Sequence, residues 1–498
     1  MSERYFDADV RDGAETFART KHGILIGGEW RDAVSARVFE TYNPATKSLL
    51  GVIPEAGAED VELAVDAASR AFNEIWSKLP PSERQRLLWR LGDAVEAHAD
   101  ELAVLETLDN GKPVREARVI DIRNAIETLR YCAGWATKLT GETVPVSFPG
   151  EWHSFTVRQP FPVVGLIVPW NAPIMMAIAK LAPALAAGCC AILKPAELTS
   201  LTALRIGQLT QEVGFPPGVI NILTGAGRGV GQAIVDHPGI EKISFTGSGA
   251  VGQQIISSAA RTMKKVTLEL GGKSAVVIMQ DADLDKAIPS AARGIFGNAG
   301  QICNAGSRIY AHRSVYDRVL QGVADFAEKL VVGNGLLPST QMGPLISQAQ
   351  LERVCQYVAL GRTDGASVVI GGNAEDETGY FMRPTVVAQT RQNMRIVQEE
   401  IFGPVVCVQR FDDNNALDDL AMLANATEYG LGAVLWTRDL SSAHRLANRM
   451  RAGTIRINGG GLDPALPFGG MKKSGWGRES GREGVEAFTE TKSVIVAL

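Results

Sequence analysis

No C-x-x-C pair occurs anywhere in these 498 residues, and the six cysteines (Cys132, Cys189, Cys190, Cys303, Cys355, Cys407) lie at scattered spacings. Neither a zinc site nor a disulfide framework is therefore expected. Reduced thiols in a cytoplasmic setting follow, with no metal. A run of one charge sign is missing too. Fifty Lys and Arg against 55 Asp and Glu leave a net charge of −5, which argues against a dedicated nucleic-acid or anionic-membrane surface. The N-terminus, MSERYFDADVRDGAETF, is acidic and polar and lacks the apolar centre of a secretory signal. One uncharged stretch, residues 161–179, is long enough on paper to span a bilayer. Pro162, Pro169, Pro173 and Asn171 interrupt it, so it reads as a buried strand, a loop and the start of a helix. Low-complexity segments and short repeats are absent.

What is present is the composition of an ordinary globular enzyme, 45% hydrophobic and 21% charged. At this length one core is too few, and two or three domains are expected. From about residue 60 to 138 apolar residues recur at three and four, a helical pattern clearest in 61–72 and 83–105. Beyond it, short apolar runs at 163–168, 191–193, 219–223, 243–245 and 266–270 alternate with helices and glycine-rich turns. Such alternation marks a doubly wound parallel sheet. A second alternation has strands near 275–278, 308–311, 368–370 and 433–436. The expectation is an α/β fold with two doubly wound domains, one from residues 1–139 and 161–271 and one from 272–473. Residues 140–160 and 474–498 form a small β element. An isolated two-stranded excursion is marginal in water and a terminal strand leaves an open edge. Pairing between subunits, as a homodimer or homotetramer, would relieve both.

The first chemical signal is glycine-rich. A strand over 242–245 is followed by Gly247-Ser248-Gly249-Ala250-Val251-Gly252 and an apolar helix. This is G-x-G-x-x-G, whose backbone N–H groups can meet a pyrophosphate at a helix N-terminus. A second cluster, Gly225 to Gly231, also follows a strand. Either alone is equally well a tight turn. A standard dinucleotide-binding reading would make Glu269 the ribose-binding acid, because it lies near the expected spacing of ~20 residues.

Four separated strings change that assignment: PWN at 169–171, KPAE at 194–197, ELGGK at 269–273 and GQIC at 300–303. With EEIFGP at 399–404 and PFGGMKKSGWGRE at 467–479, they resemble the aldehyde dehydrogenase superfamily in order and separation, from about Gly27 to the C-terminus. The resemblance implies an NAD enzyme that converts an aldehyde and water to a carboxylic acid through a thioester. On it, Cys303 is the nucleophile, and the side-chain amide of Asn171 with the backbone N–H of Cys303 holds the oxyanion. Glu269 becomes the general base for water, and Glu479 matches a second acid that relays protons or orders water. Lys194 and Glu197 would bind the adenosine ribose, Gly225, Gly247 and Ser248 the pyrophosphate, and Glu400 the nicotinamide ribose, with Phe402 beside it and Trp170 on the cofactor side. A carboxylate at Glu197 would repel a 2′-phosphate, so NAD is expected ahead of NADP.

The resemblance also maps a substrate tunnel onto Ile120, Asn124, Ala172, Met175, Met176, Ala179, Ile302, Asn304, Leu462 and Phe468. Ala172 and Ala179 stand where many relatives carry large aromatics, and methionines adapt to irregular ligands. A roomy apolar pocket for an aromatic, arylacetic or medium-chain aldehyde is implied. The LDPALPFGG stretch is similar to phenylacetaldehyde-type members. No aromatic and acidic cluster suggests a quaternary ammonium cage.

Read from the residues alone, plainer roles stay open. Cys303 could be a small buried thiol, Asn171 a loop residue, and Glu269 a strand-end acid paired with Lys265. Glu479 could be a solvated glutamate, Lys194 and Glu197 a surface ion pair, and the tunnel residues ordinary packing. Three functional rivals also remain: a standard Rossmann alcohol dehydrogenase, an acylating, coenzyme A-dependent dehydrogenase, and a non-catalytic binding or structural protein on the same scaffold. An unperturbed thiol of pKa ~8.5 is only about 3% thiolate at pH 7. Local amides or a bound cofactor's charge are therefore expected to raise the reactive fraction of Cys303.

Overall fold

The computed structural model describes residues 8–375, 378–412, 417–461 and 463–498; Leu462 of the expected tunnel lies outside the described residues. Two large sheets dominate. The first runs in the order Gly475–Trp476, Lys265–Glu269, Lys242–Thr246, Val163–Ile167, Cys190–Lys194, Ile220–Ile222, Ile24–Ile26, Glu29–Arg31. Its five central strands are parallel and its outer pairings antiparallel. The second runs Ser367–Ile370, Thr385–Ala388, Val405–Phe411, Arg308–His312, Ala275–Ile278, Gly432–Trp436, Thr454–Ile457, parallel except for its first pair. The α/β class read from the alternation is the one observed.

Strands with helices on both faces are buried along their length and mostly apolar, and these are. Every residue of Val163–Ile167, Cys190–Lys194 and Ala275–Ile278 is buried. In the second sheet the two faces can be separated residue by residue. Val276, Ile278, Ile309 and Ala311 join one core, whereas Ala275, Val277 and Tyr310 join the other. The first sheet shares its core with the helices Ala58–Glu74, Pro81–Ala97, Ala99–Asn110 and Pro173–Ala187. The uncharged stretch at 161–179 resolves as expected, a strand and loop followed by a helix that begins with Pro173 at its first position. Among the described residues no helix is long and apolar enough to cross a membrane.

The small β element needs a correction. Trp152–Pro160 and Thr489–Ala497 pair with each other, antiparallel, in register over all nine residues of each. The partner that each strand lacked in sequence is therefore the other strand of the same chain. Residues 142–144 cover part of the remaining edge, through Val144 N–H to Ser154 O at 3.0 Å and Thr156 N–H to Glu142 O at 2.9 Å. The outer edge belongs to Thr489–Ala497, most of whose residues are exposed. Within 474–498, Gly475–Trp476 does not join this ribbon but edges the first sheet, pairing with Leu268 and Glu269.

Leu435, fully buried between the parallel neighbours Val277 and Ile457, tests the second core. Leu435→Ala is expected to cost about 2–5 kcal/mol, read as a lower midpoint of chemical unfolding. A loss below about 1 kcal/mol would mean the site collapses onto the cavity.

Candidate active site

In open parallel sheets ligands bind beyond the carboxyl ends of strands, where the winding direction reverses. In the first sheet that point lies between Val163–Ile167 and Lys242–Thr246, neighbours in space but 75 residues apart in chain order. The loops leaving these strands carry Trp170 and Asn171, and Gly247 and Ser248. Glu269 ends the adjacent strand, and the chain passes at residues 270–274 into the second sheet. That sheet presents its amino ends here, so Cys303 precedes Arg308–His312 and Glu400 precedes Val405–Phe411. Topology alone thus gathers the candidates.

The segment before Cys303 is bent three times. Asn298, Ala299 and Gly300 all have positive φ, at 45°, 51° and 72°. A left-handed conformation costs a non-glycine residue about 1–2 kcal/mol, so something must hold it. Gln301, fully buried, does much of this: its Nε2 donates to Asn298 O at 3.1 Å, and its Oε1 accepts Ile346 N–H at 2.9 Å. A Cβ on Gly300 would lie 2.1 Å from Gly403 O, so only glycine fits. Asn171 Nδ2 donates to Gln301 O at 2.9 Å, placing the amide beside the backbone two residues before the thiol. Its second N–H hydrogen is a further donor for an oxyanion.

Cys303 is half-buried, whereas Cys132, Cys189, Cys190 and Cys407 are buried. Burial, then the carboxyls of Glu400 and Glu269, push its thiol up to about 12, against the backbone N–H groups of Asn304 and Cys303 itself. The expected local amides are present but do not win. Glu269 is 2% exposed, and neither carboxyl oxygen has a hydrogen-bond partner. Burial and then Glu479 hold its pKa well above the usual carboxylate range, opposed by Lys180 and Arg478. Lys265 pairs instead with Glu490, at 3.2 Å, which removes the plain strand-end reading.

Glu479 is not a solvated glutamate. It is buried in an ion pair with Lys180, whose Nζ also donates to Ser244 Oγ at 3.0 Å. Lys180 did not emerge from the sequence. Its signal was there, as the lone charge in the apolar helix Pro173–Ala187, one residue past the uncharged stretch.

The cofactor candidates fit a dinucleotide. Ser248 caps the helix Gly249–Ala260, its Oγ accepting Val251 N–H, and nothing occupies the space beside Gly249. The twelve-residue helix thus presents its N-terminus to open space. Gly225 has φ +139°, and a Cβ on Gly247 would fall 2.5 Å from the Phe245 ring. Lys194 is buried and bonded to Glu197 at 3.2 Å, while Glu197 is half exposed and free to accept hydroxyl donors. Trp170 and Phe402 meet edge to face with centroids 5.3 Å apart. Glu400 accepts Gly272 N–H at 2.9 Å.

Several tunnel candidates lie on two packed helices. Ala172 is buried at the head of Pro173–Ala187, on which Met175, Met176 and Ala179 are half-buried. The helix Arg123–Trp135, carrying Asn124, packs against it, and Asn124 Nδ2 holds Ile120 O at 2.7 Å. Ile120 is 43% exposed, at the outer end. Ile302, Asn304 and Phe468 are half-buried. Among the described residues no cluster of His, Cys, Asp and Glu could hold a metal ion.

Comparison with known proteins adds an independent observation. The Aldehyde dehydrogenase family profile matches residues 30–494. Phenylacetaldehyde dehydrogenase of Pseudomonas fluorescens is 44% identical over 487 residues, 96% of each chain. Retinal dehydrogenase 2 of Homo sapiens is 43% identical over 479 residues, 95% of this chain and 92% of the relative. An NAD+ complex of an aldehyde dehydrogenase from Bacillus cereus superposes with a TM-score of 0.96 at 44% identity, over 100% of both chains.

The raised thiol gives a direct measurement. In cofactor-free protein, alkylation of Cys303 by iodoacetamide, followed by peptide mass spectrometry, is expected to climb about tenfold per pH unit from 7 to 10 without levelling, unlike a thiol of pKa ~8.5. A plateau below pH 9 would show a stabilised thiolate instead.

Proposed function

Because the chain belongs to the aldehyde dehydrogenase family and is an NAD-dependent enzyme acting on small aldehydes, we propose that it releases the free carboxylic acid by hydrolysis of a thioester on Cys303. The observation that carries this reading is the buried Glu269 carboxyl with both oxygens unpartnered. A buried polar group without partners is costly, and a water attacking a thioester on Cys303 would supply one. An acylating enzyme, which passes its acyl group to coenzyme A or phosphate, has no use for a base so placed.

In this mechanism the Cys303 sulfur bonds to the aldehyde carbon, the carbonyl electrons move onto oxygen, and Asn171 Nδ2 with the Cys303 N–H receives the resulting oxyanion. The thiol proton leaves to Glu269 or to water. NAD supplies a hydride acceptor when bound, held by Lys194, Glu197, the turns at Gly225 and Gly247, Ser248, Glu400 and the Trp170–Phe402 pair. Glu269 then takes a proton from the water that attacks the thioester carbon, and the C–S bond breaks to return the thiol. A carboxyl whose pKa is raised toward neutrality suits this exchange, since it can both accept and release a proton. Glu479, tied to Lys180, is near enough to influence Glu269 and serves to pass that proton outward.

The substrate reading is a bulky apolar aldehyde, aromatic, arylacetic or medium-chain. Ala172 and Ala179 leave volume beside Met175 and Met176, and the Pseudomonas fluorescens relative is a phenylacetaldehyde dehydrogenase. The open edge of Thr489–Ala497 supports assembly into a homodimer or homotetramer by strand addition. The free cysteines support a reducing, cytoplasmic setting.

Four results would test these points. Glu269→Gln should give a burst of one NADH per site and then a steady rate lower by ~10²–10⁴; an unchanged steady rate would remove the base. Because the folded pKa of Glu269 is raised and the ionised form is the active one, wild-type steady turnover should climb as pH rises through that pKa. The climb should vanish in Glu269→Gln. Asn171→Ala should lose ~10²–10³ in turnover. In an NADH-absorbance panel phenylacetaldehyde should exceed acetaldehyde in kcat/KM; the reverse order would overturn the pocket reading.

A further inference from the structure

Behind the oxyanion loop lies a buried charge cluster that the mechanism above does not use. Lys112 is 2% exposed and its ammonium makes three contacts. It forms an ion pair with Asp121, lies 3.7 Å from Glu106, and donates to the backbone carbonyl of Asn171 at 2.9 Å. The same carbonyl accepts Asn298 Nδ2 at 2.7 Å. Asn298 N–H in turn donates to Glu116 Oε2 at 3.2 Å, in the bent segment that leads to Cys303. One residue earlier, Asn110 Nδ2 donates to Trp170 O at 2.8 Å. Glu106 Oε2 accepts Ile174 N–H at 3.3 Å, fixing the start of the helix that follows the loop.

Two consecutive peptide carbonyls, at 170 and 171, are therefore held by donors from Asn110, Lys112 and Asn298. The amide side is tied to Gln301 O. The backbone carbonyl and the side-chain amide of Asn171 are thus each held by hydrogen bonds. The cluster is built for one orientation. A π-helical turn at Ala117–Ile122 directs Asp121 inward, 3% exposed, while Val119 and Ile120 face out. Burial alone would lower the Lys112 ammonium, but Asp121, Glu106 and Glu116 outweigh it and hold the group above lysine's ordinary value. Burial pushes Glu106 and Glu116 up, so one lysine need not balance three full negative charges.

We propose that Lys112 is a positioning residue for the reaction: through the Asn171 carbonyl, shared with Asn298, it sets the donor that receives the oxyanion. This rests on the reading of Asn171 as that donor. A misplacement of about 1 Å at such a donor can cost 10²-fold in rate.

A double-mutant cycle on the full-length enzyme, with kcat and the KM for NAD measured for each variant, decides it. Lys112→Met is expected to lower kcat ~10–100-fold and to leave the KM for NAD within about twofold, because the cofactor cradle is untouched. Groups that act as a unit are not additive. The Lys112→Met/Asn171→Ala double variant should therefore be no slower than Asn171→Ala alone. Should Lys112→Met not accumulate as folded protein, Asn298→Asp replaces it in the same cycle. It keeps the shape and the tolerance of positive φ but loses the donor to the same carbonyl. Additive losses, or a folded Lys112→Met with kcat within threefold of the parent, would overturn the proposal alone. Near-normal turnover in Asn171→Ala would sink the oxyanion reading itself, and this proposal with it.

Discussion

The site depends on how closely one stretch of backbone passes between two functional groups. As the chain leaves Glu269 for the second sheet, Gly271 and Gly272 run between the Glu400 carboxyl and the backbone of Cys303. A Cβ on Gly271 would lie 2.1 Å from Glu400 Oε2, and one on Gly272 would lie 2.5 Å from Cys303 O. Any side chain here would force apart the nucleophile segment and the acid that bonds Gly272 N–H. Ordinary heavy-atom contacts sit near 3.5–4.0 Å. The Glu400 carboxyl could swing away from a side chain at Gly271 only by giving up its place at Gly272 N–H, and the backbone at Cys303 O has no such freedom. The two glycines let the carboxyl ends of one sheet and the amino ends of the other share a single cleft.

That closeness has an electrostatic consequence. Glu269 and Glu400 both act on one thiol, and each raises its pKa. Glu479, which would add to the negative potential through Glu269, is neutralised by Lys180. The resting thiol thus faces a carboxyl whose burial opposes ionisation, with Lys180 committed to the outer acid. Burial, Glu400 and Glu269 disfavour the thiolate at neutral pH. Reactivity in such a site comes from what enters it. A positive charge near the sulfur, or transfer of the thiol proton as the new bond forms, must supply the activation.

Much of this was legible in the chain. Strands of the first sheet are apolar because helices cover both faces, and the runs at 163–168 and 191–193 match Val163–Ile167 and Cys190–Lys194 to within one residue at each end. The glycine turn after Lys242–Thr246 carried its helix-capping serine openly. What sequence could not reveal were contacts made across long separations by residues without a motif. Lys180 and Glu479 are 299 residues apart, and Lys112 reaches Asn171 across 59. A buried lysine looks like any other until its partners are known, because only their carboxylates make burial tolerable. The ribbon failed for a related reason. Trp152–Pro160 and Thr489–Ala497 each show an open edge in isolation, and nothing local says that they close on one another across more than 300 residues.

The glycine motif shows why spacing alone misleads. Counting from G-x-G-x-x-G reaches Glu269 as the acid for an adenosine ribose. In a standard Rossmann site that acid stands at an open strand end, where hydroxyls can approach it. Here Glu269 is covered instead: its backbone pairs with Gly475, and a Cβ on Gly469 would lie 2.6 Å from its Oε1. A carboxyl closed in this way cannot reach a ligand lying in the outer crevice. Glu197, beyond the end of Cys190–Lys194, has the exposure such a role demands, and its partner Lys194 is buried, which fixes its direction. The first sheet keeps the winding of a dinucleotide fold but covers the acid that the motif spacing selects and leaves Glu197 exposed. Adding the strand Gly475–Trp476 at its edge shuts Glu269 away from the adenosine side and leaves its carboxyl to the thiol side of the cleft.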